Sequence, residues 1–173
     1  MRVLALDTTS APGSAALLGP DGALRLSAPA DTRPFGERLP AWLLELLREA
    51  GATIDGLDLF VVGAGPGSLT GMRVGIATMQ GLAMATARPL VAVSALEALS
   101  HVAVERAGTG VTRVLAWSDA RRGEVFAQVF ALHEGARPEA LGAAQVGPPA
   151  ELALAFGPDL LDPGYDAAAA LVN

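Results

Sequence analysis

The chain has 173 residues, of which 51% are hydrophobic, and its formal net charge is −6. This length and hydrophobic content suffice for a packed core in one domain or two small ones. The acidic balance argues against a protein that binds nucleic acid by itself, because affinity for phosphate backbones comes from clustered cations. All twelve basic residues are arginines, and cysteine is absent. Lysine-dependent phosphate loops, Schiff bases, disulfides and thiolate catalysis are therefore excluded.

The apolar content of the chain is not arranged as a membrane segment. The opening apolar run is too short for a signal peptide and is interrupted by Asp7. The longest weakly polar segment, 68–87, contains Arg73, Gln80 and three glycines. We therefore expect no membrane span and a cytoplasmic location.

In chain order, the first half predicts an antiparallel meander followed by alternating helices and strands. Short apolar runs predict strands at 3–6, 14–18, 23–26, 58–62 and 90–93. The sequence Gly19-Pro20-Asp21-Gly22 is typical of a turn between two strands. Helices are predicted at 37–50, ending at Gly51, at 68–87, and from the cap residue Ser94 to about residue 104.

The second half predicts strands at 114–117 and 124–132 around the turn Asp119-Ala120-Arg121-Arg122-Gly123. Two short helices are predicted at 148–156 and 166–171. The order of elements is typical of an α/β protein. We predict a first subdomain over 1–95 and a second, smaller and reduced one over 96–173.

A glycine-rich block, GAGPGSLTGMRVG, covers residues 63–75. Its glycines do not have the spacing of a dinucleotide fingerprint, and no lysine follows to make a phosphate loop. One interpretation is a helix N-terminus, with Ser68 and Thr70 as caps, whose free N–H groups face an anion. We favour the alternative, a turn that lets a strand and a helix pack closely.

Few polar residues of the sequence are candidates for catalysis or ligand binding. Asp7, Thr8 and Thr9 follow the first strand, where they could hold a nucleotide phosphate or a metal-bound water, or form an Asx turn. They are our candidate cofactor-binding residues. The two histidines, His101 and His133, are far apart in the sequence and have no neighbouring ligand cluster. We therefore predict neither a catalytic residue nor a metal site.

The two long helices of the first half have more apolar surface than one core needs. One side of the first is formed by Leu39, Trp42, Leu43, Leu46, Leu47 and Ala50, and it is widened to roughly 200° by Pro40 and Leu44. That surface could bind a partner or lie in a groove of its own domain. In the second helix, Gly71 and Gly75 permit close approach of another helix, and methionines offer an adaptable surface. The two helices suggest one shared interface.

Several of these segments together resemble the TsaB (YeaZ) family of bacterial tRNA-modification proteins. They are ALDTTS, ERLPAWLLELL, GAGPGSLTGMRVGIATMQGLA, VSALEAL and SDARRGEVF, in matching order over most of residues 1–130. The resemblance implies an actin-like ATPase (ASKHA, ribonuclease H-like) fold. It also implies a role in making N6-threonylcarbamoyladenosine in tRNA, as a non-catalytic subunit that dimerises with the TsaD transferase and works with the TsaE ATPase.

The resemblance also implies where the partner binds. The interface would use Pro40, Leu43, Leu44, Leu47, Leu69, Met72, Arg73, Ile76 and Met79. No intrinsic cofactor is implied, although ATP or ADP could bind at the interface of the complex, and the protein alone would form a homodimer. Contact with tRNA would be indirect. Where many relatives have His-Ser, this chain has Phe35-Gly36.

Two other functions compete with this interpretation. One is a stand-alone ATPase or phosphotransferase of the actin-like superfamily that uses Asp7, Thr8 and the glycine block. The other is a peptidase-like protein. The phosphotransferase would need further carboxylates and a second phosphate loop in the other half of the chain, and the sequence does not identify them.

Overall fold

The first sheet is built from strands whose residues alternate between buried and more accessible positions. The structure, a computed structural model, describes residues 1–29, 34–106, 112–133, 136–156 and 165–166. Two units follow each other along the chain, Met1–Val93 and a second that begins at Ser94. The predicted domains over 1–95 and 96–173 stay a prediction.

The first unit contains a five-stranded sheet of order β3-β2-β1-β4-β5. Its strands are β1 (Val3–Asp7), β2 (Ser14–Leu18), β3 (Leu24–Ser27), β4 (Leu59–Gly63) and β5 (Leu90–Val93). The first three are antiparallel, whereas β4 and β5 run parallel to β1. The turn between β2 and β3 lies where Gly22 has φ +81°, as the sequence predicts. Both the opening meander and the α/β class are confirmed.

Two helices pack on this sheet and close the core. Helix α1 (Phe35–Glu49) contacts β2 and α2 (Leu69–Thr86), and α2 also contacts β1, β4 and β5. A short 3₁₀ turn, Ile54–Gly56, precedes β4. The buried core consists of Leu4, Leu6, Ala15, Leu17, Leu39, Leu43, Leu46, Leu47, Leu57, Phe60, Val62, Met79 and Ala83. The alternation along β1, β2 and β4 therefore directs one face toward the helices.

The helix ends follow the capping signals in the sequence. After α1, Gly51 has φ +61°, and the N–H of Ala52 donates to the carbonyl of Leu47 at 2.9 Å. This pattern of bonds ends a helix with a left-handed glycine. Helix α2 begins at Ser68, whose Oγ accepts the N–H of Gly71 at 3.2 Å.

The second unit has its own sheet, of order β10-β6-β7-β8, with β9 also paired to β7. Its elements are α3 (Ala95–Arg106), β6 (Arg113–Arg121), β7 (Glu124–Ala131), β8 (Glu139–Ala140), β9 (Gln145–Gly147), α4 (Pro149–Ala155) and β10 (Tyr165–Asp166). Leu96 and Val114 belong to one buried cluster, and Leu115 and Leu152 to another. Both faces of β6 are thus covered, because successive side chains of a strand point to opposite faces.

Two predictions for the second unit need correction. Strand β6 extends to Arg121 rather than stopping near residue 117, because the hairpin needs only Arg122 and Gly123, both with positive φ, for its turn. The predicted helix at 166–171 begins at Asp166, which instead pairs with β6 in β10. Residues 167–171 lie outside the described part of the chain.

Candidate functional site

Four glycines spaced four residues apart lie against the end of β1. We call Gly63, Gly67, Gly71 and Gly75 the glycine row. A Cβ atom at Gly63 would lie 2.5 Å from Oδ1 of Asp7, and one at Gly67 would lie 2.7 Å from Cβ of Thr9. At Gly71 and Gly75 it would overlap the carbonyl oxygen and the hydroxyl of Thr8. The row therefore lets the backbone that leads into α2 touch residues 7–9 directly.

Hydrogen bonds join the same two segments. Thr8, which has no exposed surface, donates its hydroxyl to the carbonyl of Gly71 at 2.8 Å. The N–H of Ser68 donates to the carbonyl of Thr9 at 2.6 Å, and the N–H of Thr9 donates to Oδ1 of Asp7 at 2.9 Å. Residues 7–9 thus form the Asx turn that the sequence left as an alternative. The glycine block packs a helix against a strand, as we favoured.

This geometry corrects one prediction about α2. Gly71 and Gly75 were expected to permit close approach of another helix. Both instead accommodate Thr8 of the same chain, because they lie on the buried side of α2. The sequence indicated that another segment packs closely against these glycines, but it did not identify that segment.

A second cluster holds the loop after residues 7–9 to the start of α1. Gly13 has φ +83°, and a Cβ atom there would lie 2.8 Å from the ring of Phe35. The guanidinium of Arg38 lies 4.7 Å from the centre of that ring, and its Nη2 donates to the carbonyl of Pro12 at 2.9 Å. The sequence placed Arg38 on the polar face of α1, whereas it is buried. Phe35 contributes packing and a cation–π contact with Arg38 at this position.

The predicted interface residues of α1 separate into two groups. Leu43 and Leu47 are buried in the core, so in this structure they present almost no surface to a partner. They face the sheet because they lie on the same side of the helix as Leu39 and Leu46. Pro40 and Leu44 are exposed. Of the predicted interface residues on α1, these two are the accessible ones.

The predicted residues of α2 separate in the same way. Met79 is fully buried, so it also is a core residue rather than an interface residue. Met72 and Ile76 are half-buried, and Met72 packs over Gly65. Leu69 and Arg73 are exposed. We define the exposed face of α2 as Leu69, Thr70, Arg73, Ala77, Gln80, Gly81, Met84 and Ala85.

Gly81 is a residue of this face that sequence analysis missed. Apart from its chain neighbours and the local helix backbone, no atom of the described residues lies within 4 Å of the position that its Cβ would take. It differs in this from Gly71 and Gly75, whose Cβ atoms would overlap Thr8. The spacing of the glycines could have singled it out. The glycine row would continue at position 79, which is a methionine, so Gly81 does not belong to the row. Nothing inside the described part of the chain requires a glycine at position 81.

The exposed face continues at its C-terminal end into a shallow hollow. The hollow is lined by Gln80, Ala83, Met84, Arg88 and Leu90. Met84 is 83% exposed, and Val91 of the edge strand β5 is also exposed. Large apolar side chains are thus accessible to a partner along this side of the first unit.

The histidines and the acidic residues of the described ranges were compared with the requirements of a metal site. There, no group of three His, Cys, Asp or Glu residues is placed to hold a metal ion. His101 is exposed, and Nε2 of His133 lies 3.5 Å from a carboxylate oxygen of Glu139. A hydrogen bond from Arg48 lowers the pKa of the exposed Glu45 carboxyl. Across the described ranges, no helix is both long and apolar enough to cross a bilayer.

Comparison with known proteins identifies the family. The family model described as "TsaD: tRNA N6-adenosine threonylcarbamoyltransferase" matches residues 30–161. The chain is 36% identical to the tRNA threonylcarbamoyladenosine biosynthesis protein TsaB of Escherichia coli (strain K12), over 73% of this chain and 53% of that protein. The chain belongs to the TsaB (YeaZ) family. It spans about half the length of the curated TsaB relatives that it matches.

Solved structures of this family have the same fold. YeaZ from Pseudomonas aeruginosa is 37% identical, with a TM-score of 0.75 over 86% of this chain and 68% of that one. A second structure, described as an uncharacterized protein with similarity to peptidase YEAZ from Pseudomonas aeruginosa, is 32% identical. Its TM-score is 0.78 over 99% of this chain and 85% of the other. The actin-like α/β fold implied by the resemblance is confirmed.

Proposed function

We propose that this chain takes part in the biosynthesis of tRNA threonylcarbamoyladenosine as a subunit that binds a TsaD-like transferase and performs no chemistry itself. The family supports the pathway, since an Escherichia coli relative is named as a biosynthesis protein of this modification. The exposed face of α2 is the observation that carries the proposed role in binding. Pro40 and Leu44 of α1 are proposed to contribute to the same interface.

The exposed face of α2 has too few charges for a helix that is to remain in water. Arg73 is its only charged residue, although surface helices ordinarily carry charged and polar residues on the side away from the core. Leu69 and Met84 add large apolar side chains that are more than half exposed. Exposed large apolar side chains on one face of a helix favour a protein interaction site. A second protein that covers this face would remove those side chains from water.

Gly81 indicates how closely a partner approaches. A glycine inside a helix costs about 1 kcal/mol relative to alanine. At Gly71 and Gly75 that cost accompanies the contact with Thr8, but at Gly81 no neighbour among the residues that the structure describes explains it. Ala77 and Ala85 lie one turn to either side. We propose that a helix of the partner crosses α2 at Gly81, where small residues allow the two backbones to approach.

A TsaD-like protein is the partner that the fold favours. The transferase family model matches this chain over a range that includes α1 and α2. A protein of that family is therefore expected to carry a comparable pair of helices, so the two faces can pair about an approximate two-fold axis. The same reasoning supports a homodimer when no transferase is present, since an isologous contact uses one patch twice.

The remaining parts of the proposal follow from this assembly. We propose that a TsaE-like ATPase works with the complex and that ATP or ADP binds at the joint interface. The net charge of −6 supports contact with tRNA only through the complex, because an acidic chain repels phosphate. The proposed location is the cytoplasm, where the tRNA substrate is found.

The test exchanges one exposed apolar residue on each of two helices. Met84 on α2 is 83% exposed and Leu154 on α4 is 82% exposed, so each accepts glutamate at little cost to folding. Association with the TsaD-like protein of the same organism is measured by isothermal titration calorimetry. Met84→Glu is expected to weaken binding at least about tenfold, because its charge would lose water at the contact. Leu154→Glu is expected to leave binding unchanged.

Comparing the two variants distinguishes a specific interface on α2 from nonspecific association through exposed apolar residues. Equal binding by the original protein and Met84→Glu would contradict the proposal, as would equal weakening by both variants. Leu44→Glu extends the test to α1. Ile76→Glu is a poor choice because Ile76 packs against the core, so loss of binding could reflect unfolding.

A further inference from the structure

We propose that residues 7–9 anchor α2 to the sheet and do not bind a nucleoside triphosphate. The actin-like fold implies a nucleotide whose phosphates lie near the end of β1, and Asp7, Thr8 and Thr9 are the predicted candidates for that role. The donors, the space and the contacts at this turn all indicate an internal anchor. The inference goes beyond the proposed function and does not depend on which partner binds the exposed face.

Three donors at this turn that could hold a phosphate already have partners. Phosphate sites in loops use backbone N–H groups and hydroxyls that are left free by the protein. Here the N–H of Thr9 donates to Asp7, and the N–H of Ser68 donates to Thr9. The hydroxyl of Thr8 donates to the carbonyl of Gly71. A phosphate at this turn would therefore have to displace existing hydrogen bonds.

The space between the turn and α2 is also filled. A single added carbon at Gly67, Gly71 or Gly75 would overlap Thr8 or Thr9. A phosphate group is much larger than a methyl group. It could enter between the turn and α2 only if the backbone at the start of α2 moved away, which would expose the fully buried Thr8. The residues present therefore leave no room for the phosphates of a nucleotide between the turn and α2.

The same contacts show what the turn does instead. Bonds from Thr8 and Ser68 connect the end of β1 with the first turn of α2, and the glycine row brings the two backbones together. The turn consequently fixes the position of α2 on the sheet. Any nucleotide needed for the reaction would be held outside this turn.

Two measurements on the full chain test the inference. Equilibrium dialysis with radiolabelled Mg-ATP, to about 1 mM, detects saturable binding of even a weak ligand. Thermal unfolding of Thr8→Val and Thr8→Ser tests the anchor, because valine keeps the shape but loses the donor, whereas serine keeps the donor. We expect no saturable binding by the original protein. We expect Thr8→Val to lower the Tm by about 2–8 °C, more than Thr8→Ser, since it removes the buried hydrogen bond between the Thr8 hydroxyl and the carbonyl of Gly71.

Asp7→Asn distinguishes the remaining outcomes. Saturable binding of Mg-ATP that Asp7→Asn weakens at least about tenfold, at an unchanged Tm, would overturn the inference. Saturable binding that neither Asp7→Asn nor Thr8→Val alters would support it, because the nucleotide then binds elsewhere. A Tm for Thr8→Val equal to that of the original protein would contradict the anchor.

Discussion

Helices α1 and α2 are neighbours with similar apolar content, yet they bury different kinds of residue. Helix α1 packs through leucines, with Leu39, Leu43 and Leu46 in the core. Helix α2 packs partly through glycines, whose backbone contacts Thr8 directly. The side of α1 that faces water has charged residues, among them Glu45 and Arg48, whereas the exposed face of α2 has only Arg73.

The difference shows that apolar composition predicts how much of a helix is buried but not which side. When glycines make the internal contact, the backbone itself is buried, and large apolar side chains remain outside. Met84 illustrates this for α2. When leucines make the contact, little apolar area remains, and α1 leaves mainly Leu44 exposed. The case for a partner therefore depends more on α2 than on α1.

The largest expected effect comes from two glycines of the same helix. Gly71→Ala would force a Cβ atom into the carbonyl of Thr8, and we expect it to lower the free energy of unfolding by about 3 kcal/mol or more. Gly81→Ala meets no atom within 4 Å and should raise that free energy by up to about 1 kcal/mol. Urea denaturation followed by circular dichroism measures both. Similar effects at the two positions would remove the distinction between the buried and exposed sides of α2.

A pair of adjacent leucines tests the same distinction in α1. Leu43 is 3% exposed and Leu44 is 55% exposed. Leu43→Ala should lower the free energy of unfolding by about 2–5 kcal/mol because it leaves a cavity in the core. Leu44→Ala should change it by no more than about 0.5 kcal/mol. If Leu44→Ala were as destabilising as Leu43→Ala in chemical denaturation, the assignment of Leu44 to the surface would be wrong.

The helix starts differ in a way that predicts a smaller effect. Ser68 caps α2 through its side chain, whereas Pro34 begins α1 without a side-chain hydrogen bond to the helix. Ser68→Ala should therefore lower the free energy of unfolding by about 1 kcal/mol. Thr70→Ala, two positions along on the exposed side, serves as the control and should have less effect. A harmless Ser68→Ala would show that the packing of the glycine row alone defines the start of α2.

The smallest expected effect is the pH dependence of the Glu45–Arg48 pair on the exposed side of α1. Nε of Arg48 donates to Glu45 at 2.9 Å, and this bond holds the pKa of the carboxyl below the usual 4.5. The pair therefore contributes stability above pH 4.5, and the contribution is lost as the pH falls through the lowered pKa. Both side chains are exposed, so salt should weaken the effect.

A double-mutant cycle with Glu45→Gln and Arg48→Gln measures this coupling. The coupling is the part of the change in Tm of the double variant that the two single variants do not account for. It should be small near neutral pH and should vanish in acid or in high salt. A coupling that persists after the carboxyl is protonated would contradict an electrostatic origin.

Local patterns predicted most elements of the first unit. Strands β2 and β5 have the predicted bounds, and α1 and α2 are within two residues of theirs. These bounds were predicted from the periodicity of apolar residues and from Gly51, which ends α1. The very short strands β8, β9 and β10 were missed, since two or three residues have no period of their own and pairing with β6 or β7 defines them.

The candidate site was predicted less well. The resemblance implied nine interface residues, of which Leu43, Leu47 and Met79 are buried in the core, and it did not include Gly81, which lies on the exposed face of α2. A resemblance transfers positions along a helix but not the rotation of that helix about its axis. That rotation is decided by what packs beneath, here the sheet and Thr8.

The sequence by itself determined the class of fold, the helix boundaries and the surplus of apolar residues around positions 68–87, because these depend on local spacing and composition. Only the tertiary structure decided that residues 7–9 fill the space beside the glycine row and that Leu69 and Met84 remain outside. Such contacts join segments some sixty residues apart, as in the bond from Thr8 to Gly71 with a separation of 63. Their free energy depends on distances that no local pattern encodes.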